Sequence, residues 1–189
     1  MKYLDLQKSI ALSFFSYADV CKLFPSAPPS EIKTQLARFI EKKYIQRLIR
    51  GFYAFAERTY DEYSITRLIQ PSSYISLESA LHYYGIIPDV PGSVTSVGIG
   101  VREKVYKIQG VTYTFSPIKK SLIYGFVSRG DRKKGYYALA RAEKALLDYI
   151  YIRKIRSLSD MRIDVSSIDK DVYYRYGADY PLWIQKIQI

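Results

Sequence analysis

Ser26-Ala27-Pro28-Pro29-Ser30-Glu31-Ile32-Lys33-Thr34-Gln35-Leu36-Ala37-Arg38-Phe39-Ile40-Glu41-Lys42-Lys43-Tyr44-Ile45-Gln46-Arg47-Leu48-Ile49-Arg50-Gly51-Phe52-Tyr53-Ala54-Phe55 holds a proline turn, a helix and a basic ribbon in unbroken succession. Ile32, Leu36, Phe39 and Ile40 recur at helical spacing and make one apolar stripe. Thr34, Arg38 and Glu41 fall on the opposite face, with Lys33 and Gln35 at its flanks. Proline is tolerated in a first helical turn, so the helix starts between Ala27 and Glu31. Beyond Lys42-Lys43-Tyr44, strand-forming residues flank Arg50-Gly51 on both sides, which predicts a hairpin. A helix able to enter a major groove, with a basic hairpin beside it, is the layout of a winged helix-turn-helix. The partner that this layout implies is double-stranded DNA.

Working outward, residues 3–15 read as a first helix, with Leu4, Leu6, Ile10, Leu12 and Phe14 on it. Ser16 is placed to cap a second helix, Tyr17–Leu23, which Phe24-Pro25 closes. Three helices and a wing thus occupy residues 1–60, a winged helix DNA-binding domain. Residues 61–189 form a second domain, reached without a glycine or serine linker. Helices are expected over 61–69, ended by Gln70-Pro71, and over 76–84, capped by Ser76 and ended by Gly85. From Ser93 the apolar pattern turns β-rich, in runs separated by Arg102-Glu103 and Gln109-Gly110. Residues 121–127 and 135–139 add strands. Ala142–Arg153 is the clearest late helix, with Ala142, Ala145, Leu146, Tyr149 and Ile150 on one stripe. Two short helices follow in 167–189, split near Gly177 and Pro181. The fold class is α+β: an N-terminal winged helix-turn-helix, then a mixed α/β domain with a small, mainly antiparallel sheet.

The charge balance agrees with the DNA reading. Lys and Arg number 29 against 18 Asp and Glu, a net +11, which favours a polyanionic partner. The first 60 residues hold ten of those cations against five carboxylates, so the excess is densest there. A hydrophobic content of 48% supports a real core. The single cysteine, Cys21, excludes an internal disulfide, reads as a small buried hydrophobe and fits a cytoplasmic protein. One Cys and one His cannot by themselves hold zinc, and neither metal nor cofactor is expected. No apolar run nears the ~20 residues of a membrane span, so no membrane partner is expected.

Enzyme readings are poorly supplied. Gly98-x-Gly100 lacks the third glycine of a phosphate loop. A Cys21–His82 dyad would join two domains. Glu78, Glu143 and Asp148 are the carboxylates that a nuclease-type metal site would draw on. The residues favour a binding protein and not an enzyme.

Two further stretches exceed what secondary structure needs. One is Ser73-Tyr74-Ile75-Ser76-Leu77-Glu78-Ser79-Ala80-Leu81-His82-Tyr83-Tyr84-Gly85. The other is Ala140-Arg141-Ala142-Glu143-Lys144-Ala145-Leu146-Leu147-Asp148. With the ribbon end Arg50-Gly51-Phe52-Tyr53-Ala54, they resemble the AbiEi antitoxin family, the antitoxin half of type IV toxin–antitoxin pairs that act in abortive infection of phage-infected bacteria. The resemblance covers most of the chain, with the motifs in order. Arg141-Ala142 departs from it, standing where the family has Ser/Thr-Pro, which removes a helix cap and an N1 proline.

The resemblance implies a cytoplasmic transcriptional autorepressor and antitoxin. Its winged helix would bind repeats in its own promoter through Ser30, Lys33, Thr34, Arg38, Arg47 and Arg50. Its C-terminal domain would counter a cognate nucleotidyltransferase-like toxin. The helices over 76–84 and 142–153 are expected to pack against each other or on one side of the sheet, and to bring Glu78, His82, Lys144 and Asp148 to a shared antitoxin surface. The structural alternative for the same residues is plain. Leu77, Ala80, Leu81 and Tyr84 are helix core, Glu78 and His82 pair as i,i+4 neighbours, and so do Lys144 and Asp148. Two other readings of the whole chain stay open, a stand-alone winged-helix regulator and a DNA-acting enzyme.

Overall fold

The first helix stops well short of Phe15. A computed structural model describes every residue except Arg102 and Asp160, so the expected break at Arg102 lies outside the described residues. In it α1 spans Tyr3–Ser9, the chain then extends, and Phe14–Ser16 is a strand, β1. Arg58 supplies the reason. Its guanidinium donates to the carbonyls of Gln7 (2.7 Å), Ile10 (2.6 Å) and Leu12 (2.9 Å). Those are the acceptors that a continuing helix would have used. Phe14 and Phe15 are then free to pair with Ala54 and Tyr53.

The contacts divide the chain into two units, the first being Met1–Ile69 with Gly130–Tyr136. Its second helix, α2 (Tyr17–Leu23), is capped as the sequence predicts. Ser16 Oγ accepts from the Asp19 N–H (3.1 Å) and the Asp19 carboxylate accepts from the Ser16 N–H (2.8 Å), a capping box. The third, α3 (Pro29–Glu41), begins on Pro29 and buries Ile32, Leu36 and Phe39, while Ile40 stays at its exposed edge. β2 (Ile45–Ile49) and β3 (Phe52–Phe55) are the expected hairpin. Gly51 sits in its turn at φ +81°, a conformation that glycine adopts without cost. The sheet is antiparallel in the order β1-β3-β2. Leu6, Phe15, Val20, Ile32, Leu36 and Phe55 are among its core residues, with Cys21 half-buried against them. α4 (Glu62–Ile69) completes the run.

The segment Gly130–Tyr136 is held to this unit by its backbone. The Ser13 N–H donates to Lys133 O (2.9 Å) and the Asp61 N–H to Lys134 O (3.1 Å). Gly135 has φ +100°, and a Cβ there would lie 2.8 Å or less from Phe14 and Ser64 atoms, so no other residue fits.

The second unit is Gln70–Arg129 with Tyr137–Ile189. Its sheet is larger and more mixed than expected, with six strands in the order β6-β7-β5-β4-β9-β8. These are β4 (Ser73–Ile75), β5 (Val94–Gly98), β6 (Lys104–Ile108), β7 (Val111–Pro117), β8 (Phe126–Asp131) and β9 (Gly135–Ala140). β5 runs parallel to β7 and β4 parallel to β9. The unexpected member is β4. Three residues are too few to show a period, yet all three are buried and they sit at the sheet centre. The expected strand over 121–127 begins later, because Lys120–Leu122 is a 3₁₀ turn. α5 (Leu77–Tyr83) and α6 (Ala142–Arg153) pack against each other as expected. α7 (Lys170–Gly177) and α8 (Leu182–Gln185) are the two tail helices. Among the described residues, no helix is long and apolar enough to cross a membrane.

Candidate functional site

The residues expected at DNA all belong to the first unit. Ser30, Lys33, Thr34 and Arg38 lie exposed along α3, opposite its buried stripe, and Arg47 and Arg50 lie exposed on the hairpin. Local bonds hold these elements in place. The Tyr17 N–H donates to Gly51 O (2.8 Å) and its hydroxyl donates to Pro29 O (3.3 Å). The start of α2 is therefore tied to both the hairpin turn and the first turn of α3. The Lys33 ammonium stands 5.7 Å from the Tyr17 ring. Thr34 Oγ1 donates to Ser30 O (3.0 Å), which commits its proton to the helix backbone while the side chain stays exposed. Arg47 Nε donates to Ile49 O (3.4 Å) beside the register shift between those two residues. Cations at such positions can neutralise phosphates, and Arg38 can offer a planar pair of N–H donors to a base edge.

The second expected surface does not form. Lys144 and Asp148 were expected at an exposed rim, but both are completely buried. The i,i+4 ion pair between them is real, and its surroundings explain the burial. Asp148 Oδ1 accepts from Lys144 Nζ and from Tyr180 OH (2.7 Å), and Oδ2 accepts from Tyr74 OH (2.9 Å) and Ser76 Oγ (2.8 Å). Lys144 Nζ also donates to Tyr180 OH (2.6 Å) and lies 5.3–5.5 Å from the rings of Tyr74, Tyr124 and Tyr180. Every strong acceptor site on the carboxylate is thus taken. Burial pulls the Lys144 pKa down, and the neighbouring Asp148 charge opposes that pull. Burial, then the Asp148 charge, hold the Tyr74 and Tyr180 phenols far above the ordinary tyrosine range, so both stay protonated donors.

Glu78 and His82 do not join this cluster or each other. Glu78 takes a bidentate pair from Arg153 (2.7 and 3.0 Å). His82 is half-buried, with Nδ1 lacking a hydrogen-bond partner. Ser76 stands at the N-cap position of α5, but its hydroxyl goes to Asp148 and not to the helix. Thr95 takes over the role, its Oγ1 accepting from the Ser79 N–H (3.0 Å) and donating to Ser76 O (2.7 Å). Leu77 follows at φ +57°, a left-handed turn that costs a side-chain-bearing residue about 1–2 kcal/mol. The two late motifs therefore interlock: Tyr74 and Ser76 of one bond Asp148 of the other. Among the described residues, no three His, Cys, Asp or Glu side chains gather for a metal ion.

Two groups escaped the sequence reading. Arg58, stacked 4.2 Å from the centre of the Phe55 ring, closes α1. Its signal was faint, one arginine just beyond a strand. Arg132-Lys133-Lys134 are three exposed cations in the turn that joins β8 to β9. Three adjacent cations between Asp131 and Gly135 marked that turn in the sequence. Comparison with protein families and with curated proteins finds no match.

Proposed function

We propose that the N-terminal unit is a winged helix-turn-helix that binds double-stranded DNA, and that the whole protein is the autorepressing antitoxin of a type IV toxin–antitoxin pair. The observation that carries the DNA reading is the joint placement of α3 and the β2–β3 hairpin. Both present cations outward from one apolar core, and Tyr17 bonds to each of them. α3 would lie in the major groove with Ser30, Lys33, Thr34 and Arg38 toward the bases. Arg47 and Arg50 would hold the backbone or the minor groove. Its target would be repeats in its own promoter.

The antitoxin half rests on the resemblance of three motifs to the AbiEi family, and its partner would be a nucleotidyltransferase-like toxin. With Lys144 and Asp148 buried, Glu78 and Arg153 are the better candidates for the exposed part of that activity. A gel shift on the DNA upstream of the gene tests the first half. Arg38→Ala should weaken binding by about 1–3 kcal/mol and relax the preference at one base pair. The second half is tested by growth rescue in cells expressing a nucleotidyltransferase-like toxin encoded beside the gene. Glu78→Ala should lower rescue without lowering Tm, and full rescue by that variant would remove the surface.

A further inference from the structure

Two cavities of the N-terminal unit share Ala11 and Arg132 in their linings and so adjoin, making a two-part groove before and beside β1. The first, of about 450 Å³, is lined by Leu12, Phe14, Phe15, Leu23 and Tyr136 among others. Leu23 is 42% exposed and Tyr136 51% exposed, so this end offers apolar surface to solvent. The second, of about 800 Å³, is lined by Arg58, Arg132, Lys133 and Lys134, with Glu57. Apolar and cationic halves therefore adjoin.

The cations are displayed from a fixed backbone. Asp131 accepts from the N–H groups of Lys133 (2.6 Å) and Lys134 (2.7 Å), which hold its carboxyl below the usual range and commit it to the turn. The carbonyls of Lys133 and Lys134 are bonded to Ser13 and Asp61. Glu57 is engaged by Tyr3 OH (3.3 Å) and Gln7 Nε2, and Asp19, at the apolar end, by the Ser16 cap. Arg58 is spent on three carbonyls. That leaves Lys22 at the apolar end, with Arg132, Lys133 and Lys134 clustered at the other, as the charges that the groove presents.

The groove shares no lining residue with the DNA face, and its cationic half lies at the far end of β1 from it. In the β1–β3 ladder, Ser16 pairs with Phe52 beside the hairpin turn. Ser13, which bonds Lys133, accepts from the Phe55 N–H at the opposite end of that ladder. An aliphatic lining such as Leu12 and Leu23 offers no donor or acceptor to a phosphate or base edge, whereas it suits a polypeptide side chain. A second copy of this chain is also a poor occupant. Its carboxylates are scattered, and Asp61-Glu62 is their only adjacent pair.

We propose that this groove docks an acidic segment of a partner protein. One aliphatic or aromatic side chain enters between Leu12, Leu23 and Tyr136, and the flanking carboxylates meet Arg132, Lys133 and Lys134. The surface does not depend on the DNA reading.

The test is selection of a random short-peptide display library against the full chain, followed by fluorescence anisotropy with the most enriched peptide. Enriched sequences should combine an apolar residue with several Asp or Glu. The triple variant Arg132→Ser, Lys133→Ser, Lys134→Ser should weaken the peptide about tenfold or more and flatten its salt dependence. Leu23→Ser should weaken it several-fold, and Arg38→Ala should leave it unchanged. All these side chains are exposed and the turn keeps its backbone bonds, so circular dichroism of the variants should match the parent. Enriched peptides without acidic bias, or equal binding by the triple variant, would overturn the proposal. So would displacement of the peptide by duplex DNA in the Arg38→Ala background, which would make the patch a general polyanion surface.

Discussion

Arg38 and Asp148 stand for the two kinds of charge in this protein, one offered to solvent and one sealed inside. The sealed one has the larger effect on stability. Asp148→Ala leaves a buried ammonium unpaired and removes the acceptor of three hydroxyls, so it should cost about 3–5 kcal/mol in urea unfolding. An unchanged midpoint would contradict the buried pair. The burial corrects the expectation that Lys144 and Asp148 belong to a shared antitoxin surface. Their i,i+4 spacing was legible. Their burial was not, because charges on a helix ordinarily signal solvent, and the partners Tyr74 and Tyr180 lie 74 and 32 residues from Asp148 in sequence.

The same residues set the alkaline behaviour. Burial raises the phenols of Tyr74, Tyr124 and Tyr180, and pushes Tyr173 up to about 12. Above the ordinary tyrosine pKa of ~10 the folded state then holds more protons than the unfolded chain, so stability is full below that pH and falls above it. Lys144 works the other way, because its lowered folded pKa makes stability rise with pH up to the unfolded lysine value. The raised phenols outnumber the one lowered lysine, which gives a net loss. In an ultraviolet titration of the 20 tyrosines, a buried subset should ionise only as the chain unfolds. A single smooth titration of all of them would contradict that.

At the scale of elements, legibility followed locality. α3 and the hairpin were readable because each is specified by its own residues: a 3.6-residue apolar period, a proline start, and Arg50-Gly51 between strand-formers. The capped start of α2 was readable for the same reason. β1 and β4 were missed because three residues show no period, and what makes them strands is pairing with β3 and with β5 and β9. The helical extension over 10–15 failed against Arg58, a contact across 46 to 51 residues. Arg58→Ala should therefore expose unsatisfied carbonyls at the end of α1 and cost about 2–3 kcal/mol. The check is the urea midpoint, together with faster hydrogen exchange in α1. Equal exchange in parent and variant would remove Arg58 from that role.

For the whole molecule, the α+β class and the order of the helices were visible in the sequence, and the composition of the first unit was not. Residues 1–60 leave out α4 and Gly130–Tyr136, a segment brought in from 70 residues further along the chain. Nothing local in Asp131–Gly135 marks Phe14 or Ser64 as its neighbours. A fragment of residues 1–69 should accordingly unfold at lower urea than the same unit in the full chain, since Ser13 and Asp61 lose their carbonyl partners. Equal midpoints would show that the turn adds nothing.

In the proposed reading, α3 reads DNA while the hairpin grips its backbone. The most direct measurement is anisotropy of the full chain on its upstream promoter DNA and on a scrambled duplex, across a salt series. The parent should prefer the promoter and bind more weakly as salt rises. Arg38→Ala should lose most of the preference and keep the salt slope. Arg47→Ala should weaken both duplexes alike and lower the slope by about one. Parent-like binding by both variants, or no preference for the promoter by the parent, would contradict the account.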